Sequence, residues 1–553
     1  MPICFKLNVL KKSWKFFLAL TFTSALFLYG CSNRSNNLKE KDSKGTLIVG
    51  NGTEPQDLDP HIVTGVPEQR ILSALMEGLV IENPKTLSPE PGVAESWSVA
   101  DNELIYTFNL RKNAKWSNGA SVTANDFVYA YHRILLPALG SQNAYLLYCM
   151  KNAEKFNEGK IKNFAEVGVK ALNEFTLQIT LESPTPYFLS LITHMAWFPI
   201  YKPAIEKYGK MDQRGTKWTL PGNFISDGAF ELKDWKLNEG ITVIKNPYYW
   251  DKDNVKLNEI VFKPINDAQT EESAFRGGQL DVTYTVPSDK VEKYLENNPE
   301  LIRISPYLGT FYLVFNVQKK PFDNAKLREA LALSIDKTAL AKNVIKGGKL
   351  PAWSFTPPDT AGYTCDTVQK ENLQEAKNLL SQAGYPEGKG LEPIEISYNS
   401  SERNRRIAEA IQAMWKKNLN VDSVLINKEW KVYLDAFRTK DFSVAAASWI
   451  GDYNDPSTFL DLWTDTSSNN RAGWKNSKYS ELIQKASVTV NKQERNLLFN
   501  KAEAILLENA PIVPLYYYTS LALIRVEVKG YYPNILDHHP YKNVYFDSIS
   551  SKE

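Results

Sequence analysis

Residues 442–456 read FSVAAASWIGDYNDP, and this stretch decides the fold of the chain. Its first part, 442–446, is a short apolar run, which predicts a buried strand. Trp449 and Asp452 follow where such a strand would emerge at the wall of a cleft. A carboxylate there is suited to pair with a cationic group of a ligand, with the indole packed beside it. The spacing alone favours an ordinary turn and a core tryptophan over a ligand site.

The composition is that of a soluble globular protein with room for several cores. The chain has 553 residues, of which 43% are hydrophobic and 23% charged, and this excludes disordered and collagen-like classes. The net charge is +2, and it becomes −2 without the four lysines that precede Cys31. A nearly neutral protein has no overall field that would recruit nucleic acid, so we predict no nucleic-acid partner.

The N-terminus predicts a targeting segment followed by a tether. Basic residues precede an uncharged stretch over 16–28, which is typical of a secretory signal and too short to span a bilayer comfortably. We therefore predict a signal peptide over 1–30. Residues 31–45 are polar and lack apolar periodicity, which predicts a flexible tether.

The end of the apolar stretch, Leu28-Tyr29-Gly30-Cys31, resembles the lipobox of bacterial lipoproteins. This resemblance implies that Cys31 is acylated as the first mature residue, which would hold the protein at a membrane surface. An ordinary signal peptide with a chance cysteine is the alternative.

The sequence predicts neither a cofactor nor an enzyme. It has no CxxC pair, and its histidines are scattered apart from His538-His539, so no metal site is predicted. GxSxG and GxGxxG motifs are both absent from the sequence. A peptidase or esterase would need a nucleophile and base or a metal cluster. For Cys149 and Cys365, a disulfide and two free thiols remain equally open.

Strands interleaved with helices along the chain predict α/β lobes. The run 46–50 predicts a strand, and Thr123 is predicted to cap a helix. Residues 306–316 predict a long strand. A single helix predicted over 324–345 would begin a new core.

The segment 449–460, WIGDYNDPSTFL, resembles the ligand-site segment of bacterial oligopeptide-binding proteins. These are receptors of peptide-import ABC transporters and belong to extracytoplasmic solute-binding protein family 5, the peptide/nickel receptors. The block 94–134, with AESW and an Asn-Gly turn before a helix, resembles the signature of the same family. The motifs YYWD at 248–251 and FRGGQLDV at 275–282 follow in the same order, so the similarity runs from about residue 46 to the C-terminus.

The resemblance implies an α/β protein with the class II periplasmic-binding-protein fold, which has two lobes, a hinge and three structural regions. Lobe I would be discontinuous, and lobe III would oppose it across the cleft. Chain crossings near 308 and 520 would form the hinge. The implied ranges are 46–76, 201–308 and 520–553 for lobe I, 77–200 for accessory region II, and 309–519 for lobe III.

The same resemblance implies a monomeric, lipid-anchored receptor in the periplasm or at the cell surface, which binds short peptides and delivers them to the permease subunits of an ABC importer. An extended peptide can satisfy its backbone groups by pairing with strand edges. Asp452 is implied to bind the peptide α-amino group. The other implied ligand contacts are Val66, Tyr307, Tyr312, Asn399, Asn404, Trp430, Ser448, Trp449 and Tyr518.

Several positions depart from the family pattern. Where family members bind a peptide carboxylate with basic side chains, this chain has Ala446, Phe437 and Asn404, and Val314 replaces a carboxylate. Three nearby arginines either substitute for the missing cations or lie on solvated helix faces; they are Arg403, Arg405 and Arg438. A receptor of the same fold for a murein-derived peptide, a dipeptide, haem or a nickel chelate is therefore the alternative.

Overall fold

The computed structural model describes residues 45–100, 103–428, 430–465, 467 and 469–547. The predicted signal peptide, the lipidation site Cys31 and the tether up to residue 44 lie outside the described residues. Five side chains within the helices are also outside the description, namely those of Glu402, Trp430, Lys431, Leu434 and Arg438.

Eighteen strands are described. They are β1 (Thr46–Gly50), β2 (Val80–Glu82), β3 (Pro89–Pro91), β4 (Ala94–Ala100), β5 (Ile105–Leu110), β6 (Val169–Asn173), β7 (Thr176–Thr180), β8 (Phe230–Lys236), β9 (Gly240–Lys245), β10 (Glu259–Lys263), β11 (Ile302–Phe315), β12 (Leu350–Pro351), β13 (Ile394–Asn399), β14 (Ser423–Lys428), β15 (Val444–Ile450), β16 (Ile512–Leu523), β17 (Val528–Lys529) and β18 (Tyr545–Phe546).

Short 3-10 turns and the α-helices connect these strands. The helices are α1 (Val66–Leu75), α2 (Ala124–Leu135), α3 (Ala153–Asn157), α4 (Phe188–Leu191), α5 (Lys202–Tyr208), α6 (Ala268–Arg276), α7 (Val291–Asn297), α8 (Ala325–Leu333), α9 (Lys337–Ala339), α10 (Leu373–Gln382), α11 (Glu402–Leu419), α12 (Trp430–Thr439), α13 (Ser457–Leu460), α14 (Ser477–Val488) and α15 (Lys492–Asn509). Within the described residues, no helix combines the length and apolarity that crossing a membrane requires.

Two four-stranded sheets share one hydrophobic core. The first has the order β1-β10-β9-β8, in which β1 and β10 are parallel, and the second is antiparallel with the order β4-β5-β7-β6. Side chains from both sheets pack together with Trp116 and Trp197, which are fully buried. Segments from the end of the chain also enter this core, through Tyr541 and Val544.

A six-stranded sheet, ordered β12-β16-β11-β15-β13-β14, forms the other large body of the protein. Hydrophobic clusters cover both of its faces. The long strands β11 and β16 pair antiparallel from Ile302 opposite Leu523 to Val314 opposite Ile512. Ile302 and Leu523 belong to a separate small cluster around α6 and α7, so the two strands connect different cores.

Several sequence predictions are confirmed. The strand β1 forms as predicted, and β15 is buried from Val444 to Ala447. Thr123 caps α2: its backbone N–H and its hydroxyl both donate to the Asp126 carboxylate, at 2.8 and 3.0 Å. Of the two possibilities left open for the cysteines, free thiols are observed at Cys149 and Cys365.

The prediction of one helix over 324–345 is wrong. Helix α8 ends at Leu333, and a π-helical turn over Leu340–Ile345 follows the short α9. The Asp336 carboxylate accepts the Ala339 N–H at 2.7 Å and caps a new helical turn. Aspartate competes in this way for backbone donors, which interrupts the helix. The predicted boundaries of the three structural regions remain a prediction.

Candidate ligand-binding site

A cavity of about 340 Å³ lies between the two large bodies of the protein. One wall consists of α1, the segment after it, residues 193–198 and residues 536–542. The opposite wall carries Tyr307, Leu308 and the end of β15 with Asp452. The cavity is therefore lined from both sides of the connecting strands, as an interlobe cleft would be.

Strand β15 has an open edge beside this cavity. On one side it pairs with β11 along its whole length, from Val444 to Ile450. On the other side it pairs with β13 only at Val444 and Ala445. Among the described residues, the edge from Ala447 to Ile450 thus has no strand partner. Such an edge offers N–H and C=O groups to an extended ligand.

Asp452 is held at the end of this edge by a fixed turn. The Gly451 N–H donates to the Leu308 carbonyl at 2.8 Å, and the Asp452 N–H donates to the Thr458 hydroxyl at 3.1 Å. Asp455 accepts the Ser457 N–H at 3.0 Å and is itself held by Arg495, at 2.6 and 2.8 Å. These bonds fix where the Asp452 carboxylate lies.

The electrostatics of Asp452 differ from those of the other carboxylates in the cavity wall. Burial raises its pKa to about 6, and the Tyr145 hydroxyl opposes this rise as a hydrogen-bond donor. No basic side chain among the described residues pairs with Asp452. A desolvated carboxylate without a cation is the kind of group that a cationic ligand stabilises.

The other three carboxylates of the wall already have strong partners. Glu77 accepts hydrogen bonds from the Tyr249 hydroxyl and the Trp250 indole, Glu82 lies 2.8 Å from His538 Nδ1, and Asp537 lies 2.7 Å from Arg70. Burial opposes ionisation of Asp537, but the His539 hydrogen bond and the Arg70 charge outweigh it and hold its pKa well below the usual value. Of the residues in this network, only the adjacent histidines His538 and His539 stand out in the sequence.

Four of the predicted ligand contacts lie at or near the cavity and the open edge. Val66 and Tyr307 line the cavity, and burial raises the pKa of Tyr307 to about 12. Ser448 is exposed on the open edge. The adjacent Trp449 is half-buried, and its indole N–H has no hydrogen-bond partner among the described residues.

The remaining predicted contacts are placed differently. Tyr312 is buried behind the sheet against Phe355 and Trp463, and the structure does not bring it to the cavity. Asn404 donates to the Asn399 side chain at 2.6 Å where β13 meets α11. Tyr518 lies near Gly309, and Trp430 begins α12 with its side chain outside the description.

The positions that depart from the family pattern are mostly apolar and enclosed. Ala446, Phe437 and Val314 are all buried. The Tyr433 hydroxyl donates to the Ala446 carbonyl, and the Arg471 guanidinium lies 4.7 Å from the centre of the Phe437 ring. These buried positions therefore offer no charged side chain of their own to a ligand.

The three nearby arginines are not equivalent. Arg405 is half-exposed and lies 3.6 Å from Glu409 on the solvent face of α11. The Arg438 side chain is outside the description. Arg403 is close enough to Tyr516 and Lys349 for its charge to affect their pKa values. In the described part of the chain, no group of three His, Cys, Asp or Glu side chains is arranged to hold a metal ion.

Two α/β lobes joined by paired strands, with a cleft between them, define a solute-binding receptor of the class II periplasmic-binding-protein fold, and solved structures bear out this class. The chain belongs to the bacterial extracellular solute-binding proteins, family 5, whose sequence model matches residues 88–471. The predicted family and fold class are thus confirmed.

Relatives match this chain over nearly its whole length. It is 40% identical over 512 residues to the periplasmic oligopeptide-binding protein OppA of Salmonella typhimurium, and the alignment covers 91% of this chain and 92% of the relative. It is 41% identical over 486 residues to the periplasmic murein peptide-binding protein MppA of Escherichia coli, covering 86% and 88%.

Solved structures show the same likeness. The Escherichia coli murein tripeptide binding protein MppA superposes with a TM-score of 0.76 at 40% identity, covering 91% of this chain and 98% of that chain. The Haemophilus influenzae OppA complex with the peptide RPPGFSPFR gives a TM-score of 0.75 at 35% identity, covering 92% and 100%.

Proposed function

We propose that this protein is an extracytoplasmic receptor that binds short peptides in the interlobe cleft and delivers them to an ABC-type importer. The observation that carries the proposal is Asp452, a desolvated carboxylate without a basic partner among the described residues, placed beside an open strand edge. All ordinary peptides have a charged α-amino group, and a charge-assisted hydrogen bond to Asp452 would fix that end of the ligand.

The strand edge explains how one cleft accepts many sequences. Main-chain pairing along 447–450 would hold the peptide backbone whatever its side chains are. Side chains would then project into the cavity and toward Trp449 and Tyr518, with waters bridging unmatched polar groups. Asp452 would set the register of the bound peptide.

The relatives support the same function. Their names record binding of oligopeptides by one protein and of murein peptides by another, at nearly equal identity to this chain. A receptor for murein-derived peptides is therefore our second candidate. We infer that the chain is not an enzyme, because its family consists of solute-binding proteins.

The remaining parts of the proposal come from the sequence. We propose a monomer that is attached to a membrane through acylated Cys31 and a polar tether, in the periplasm or at the cell surface. The strands β11 and β16 would act as the hinge near residues 308 and 520, between lobe I with region II on one side and lobe III on the other. Closure around a peptide would present the loaded receptor to the permease.

Native mass spectrometry of the purified mature protein tests this function. We expect a series of co-purified short peptides in the unaltered protein and their loss in Asp452→Asn, because the amide cannot neutralise an amine. Asp253→Asn removes the same charge from an exposed position and should retain the peptides. A ladder of peptides that survives in Asp452→Asn would refute the anchoring role, and a single non-peptide mass would refute the function.

A further inference from the structure

A chain of hydrogen bonds runs along the cavity wall through His538. His538 Nδ1 lies 2.8 Å from Glu82 Oε2, and His538 Nε2 lies 2.7 Å from Gln69 Nε2. The Thr193 hydroxyl donates to the other carboxylate oxygen of Glu82 at 3.1 Å. All four residues line the cavity, and they come from α1, β2, the segment after α4 and the C-terminal part of the chain. The bonds therefore join four separate parts of the wall.

The backbone of His538 is fixed as well. The Asn534 side chain accepts the His538 N–H at 3.1 Å and donates to the His538 carbonyl at 2.6 Å. The side chain of His538 is 29% exposed and that of Glu82 is 12% exposed. The ring is thus held in one place, partly shielded from solvent and still part of the cavity lining.

The donors and acceptors of this chain suit a neutral imidazole. An amide nitrogen can only donate, so Gln69 Nε2 donates and His538 Nε2 accepts. The ring proton then lies on Nδ1 and is donated to the ionised Glu82, which can only accept. A protonated imidazole donates at both nitrogens, so Gln69 would have to turn its amide and offer Oε1 to the ring.

Turning the amide changes the group that Gln69 presents to a ligand. Gln69 Oε1 has no hydrogen-bond partner among the described residues, and the half-buried side chain lines the cavity. While the ring is neutral, the wall therefore offers a hydrogen-bond acceptor at this place. After the turn the NH2 group takes the place of Oε1, so the wall offers a donor beside a new positive charge.

The charge of His538 changes as the pH falls through the neutral range. Burial disfavours the charged ring, but the Glu82 carboxylate outweighs burial and raises the pKa of His538 above its ordinary value. The Asp537 charge acts in the same direction as Glu82, and the Arg70 charge opposes both.

The other groups around this ring titrate at lower pH or not at all. Burial lowers the pKa of His194 to about 4, and it also lowers the pKa of His539. Burial opposes ionisation of Asp537, but its partners His539 and Arg70 hold its pKa well below the usual value. Asp452 in the opposite wall has a pKa of about 6, and its protonation affects every peptide with a free α-amino group alike.

We propose that Gln69 and His538 form a subsite for a peptide side chain and that its preferred ligand group changes with pH. The subsite takes an anionic side chain when His538 carries a proton, and a hydrogen-bond donor such as a side-chain amide when it does not. This inference rests on the proposed function and extends it from the α-amino group of the peptide to one of its side chains.

The experiment compares tripeptides with glutamate or glutamine at each of the three positions and alanine elsewhere, by titration calorimetry at pH 5.5 and pH 8.5. Titration of Asp452 and of the α-amino group affects both members of a pair equally, so the ratio of their Kd values isolates the side chain. At one position or more, this ratio should shift by about tenfold in favour of glutamate at pH 5.5, as expected for one hydrogen bond between charged groups.

Two variants test the assigned residues. His538→Gln keeps a hydrogen-bonding side chain that takes up no proton, and its ratio should be the same at both pH values. Gln69→Glu keeps the length of the side chain but offers only acceptors, so it should bind the glutamine peptide more tightly at both pH values. His132→Gln is the matched control, because this histidine stacks on Phe164 and is not part of the cavity lining. Its ratio should change with pH as in the unaltered protein.

NMR of histidine-labelled protein links the preference to the ring. The chain has five histidines, and comparison with His538→Gln assigns the signal of His538. The midpoint of its titration should coincide with the midpoint of the change in the Kd ratio. A ratio that is equal at both pH values, a change that persists in His538→Gln, or a glutamate preference that survives in Gln69→Glu would overturn the proposal.

The two proposals fail in distinguishable ways. If no tripeptide binds to the unaltered protein at either pH, the proposed function fails. If tripeptides bind and depend on Asp452 but the ratio of glutamate to glutamine affinity stays constant, only the subsite at Gln69 and His538 fails.

Discussion

The rings of Tyr187 and Tyr453 stack face to face, with centroids 4.8 Å apart and planes inclined by 7°. Tyr187 belongs to the body that contains the four-stranded sheets, whereas Tyr453 directly follows Asp452 at the end of the six-stranded sheet. Arg495 lies 5.5 Å from the Tyr187 ring and is itself bonded to Asp455. The turn that holds the candidate anchor is thus in direct contact with the body that contains the four-stranded sheets.

Removing the Tyr187–Tyr453 stack should weaken ligand binding, although Tyr187 is not one of the proposed ligand contacts. We expect Tyr187→Ala to raise the peptide Kd about three- to tenfold, because an aromatic pair contributes about 0.5–1.5 kcal/mol beyond its buried area. Tyr187→Phe keeps the ring and should bind normally. Titration calorimetry with one tripeptide would check this, and equal affinity in the alanine and phenylalanine variants would contradict it.

The Asp452 carboxylate should reduce the stability of the ligand-free protein. A raised pKa means that the ionised form of Asp452 is disfavoured in the fold, and this cost is complete above pH 6. Asp452→Asn should therefore raise the free energy of unfolding at pH 7.5 by about 1–3 kcal/mol. The gain should vanish as the pH falls from 6 to 4, where both states of the unaltered protein become protonated.

Urea unfolding of ligand-free protein at pH 7.5 and pH 4 measures this difference. Asp253→Asn, a change at an exposed aspartate, provides the reference for a simple loss of charge. A variant that binds no peptide and is also less stable at pH 7.5 would show that the Asp452 carboxylate supports the fold instead.

Peptide affinity should depend on pH through the same carboxylate. Below pH 6 the empty cleft takes up a proton on Asp452, so the Kd should rise about tenfold for each further unit of acidification. Above about pH 8 the peptide α-amino group loses its own proton and affinity falls again. Fluorescence titrations from pH 4.5 to 9 would show an optimum between these limits. A flat profile over pH 5–7 would exclude Asp452 as the anchor.

The buried ion pair behind the anchor should be important for stability. Arg495 and Asp455 are both more than nine-tenths buried and form two hydrogen bonds. Asp455→Ala would leave the guanidinium charge without its partner, and we expect a loss of about 3–5 kcal/mol in unfolding free energy. Glu387→Gln breaks an exposed ion pair and should leave the denaturation midpoint unchanged. Similar midpoints for both variants would contradict this expectation.

Local sequence pattern was sufficient for some parts of the structure and not for others. The strand ending near Trp449 follows from an apolar run and a turn, both of which are local signals. The burial of Tyr312 is not readable in this way, because β11 is buried at every position from Leu308 to Phe315 and shows no alternation that distinguishes its faces.

The charged network of the cavity wall shows a second limit of sequence reasoning. Glu82 pairs with His538 across 456 positions, and Arg70 pairs with Asp537 across 467 positions. No local pattern links residues so far apart in sequence, and only the fold brings them together.

The core shared by the two four-stranded sheets has a consequence for the order in which the protein is completed. That core begins with Leu47 and also requires Tyr541 and Val544, which are among the last residues described. A chain emerging from its N-terminus therefore cannot finish its first lobe until nearly all of it is available. The six-stranded sheet has all its strands once β16 ends at Leu523, slightly before the shared core is complete, and Leu536 then adds to the cluster on one of its faces.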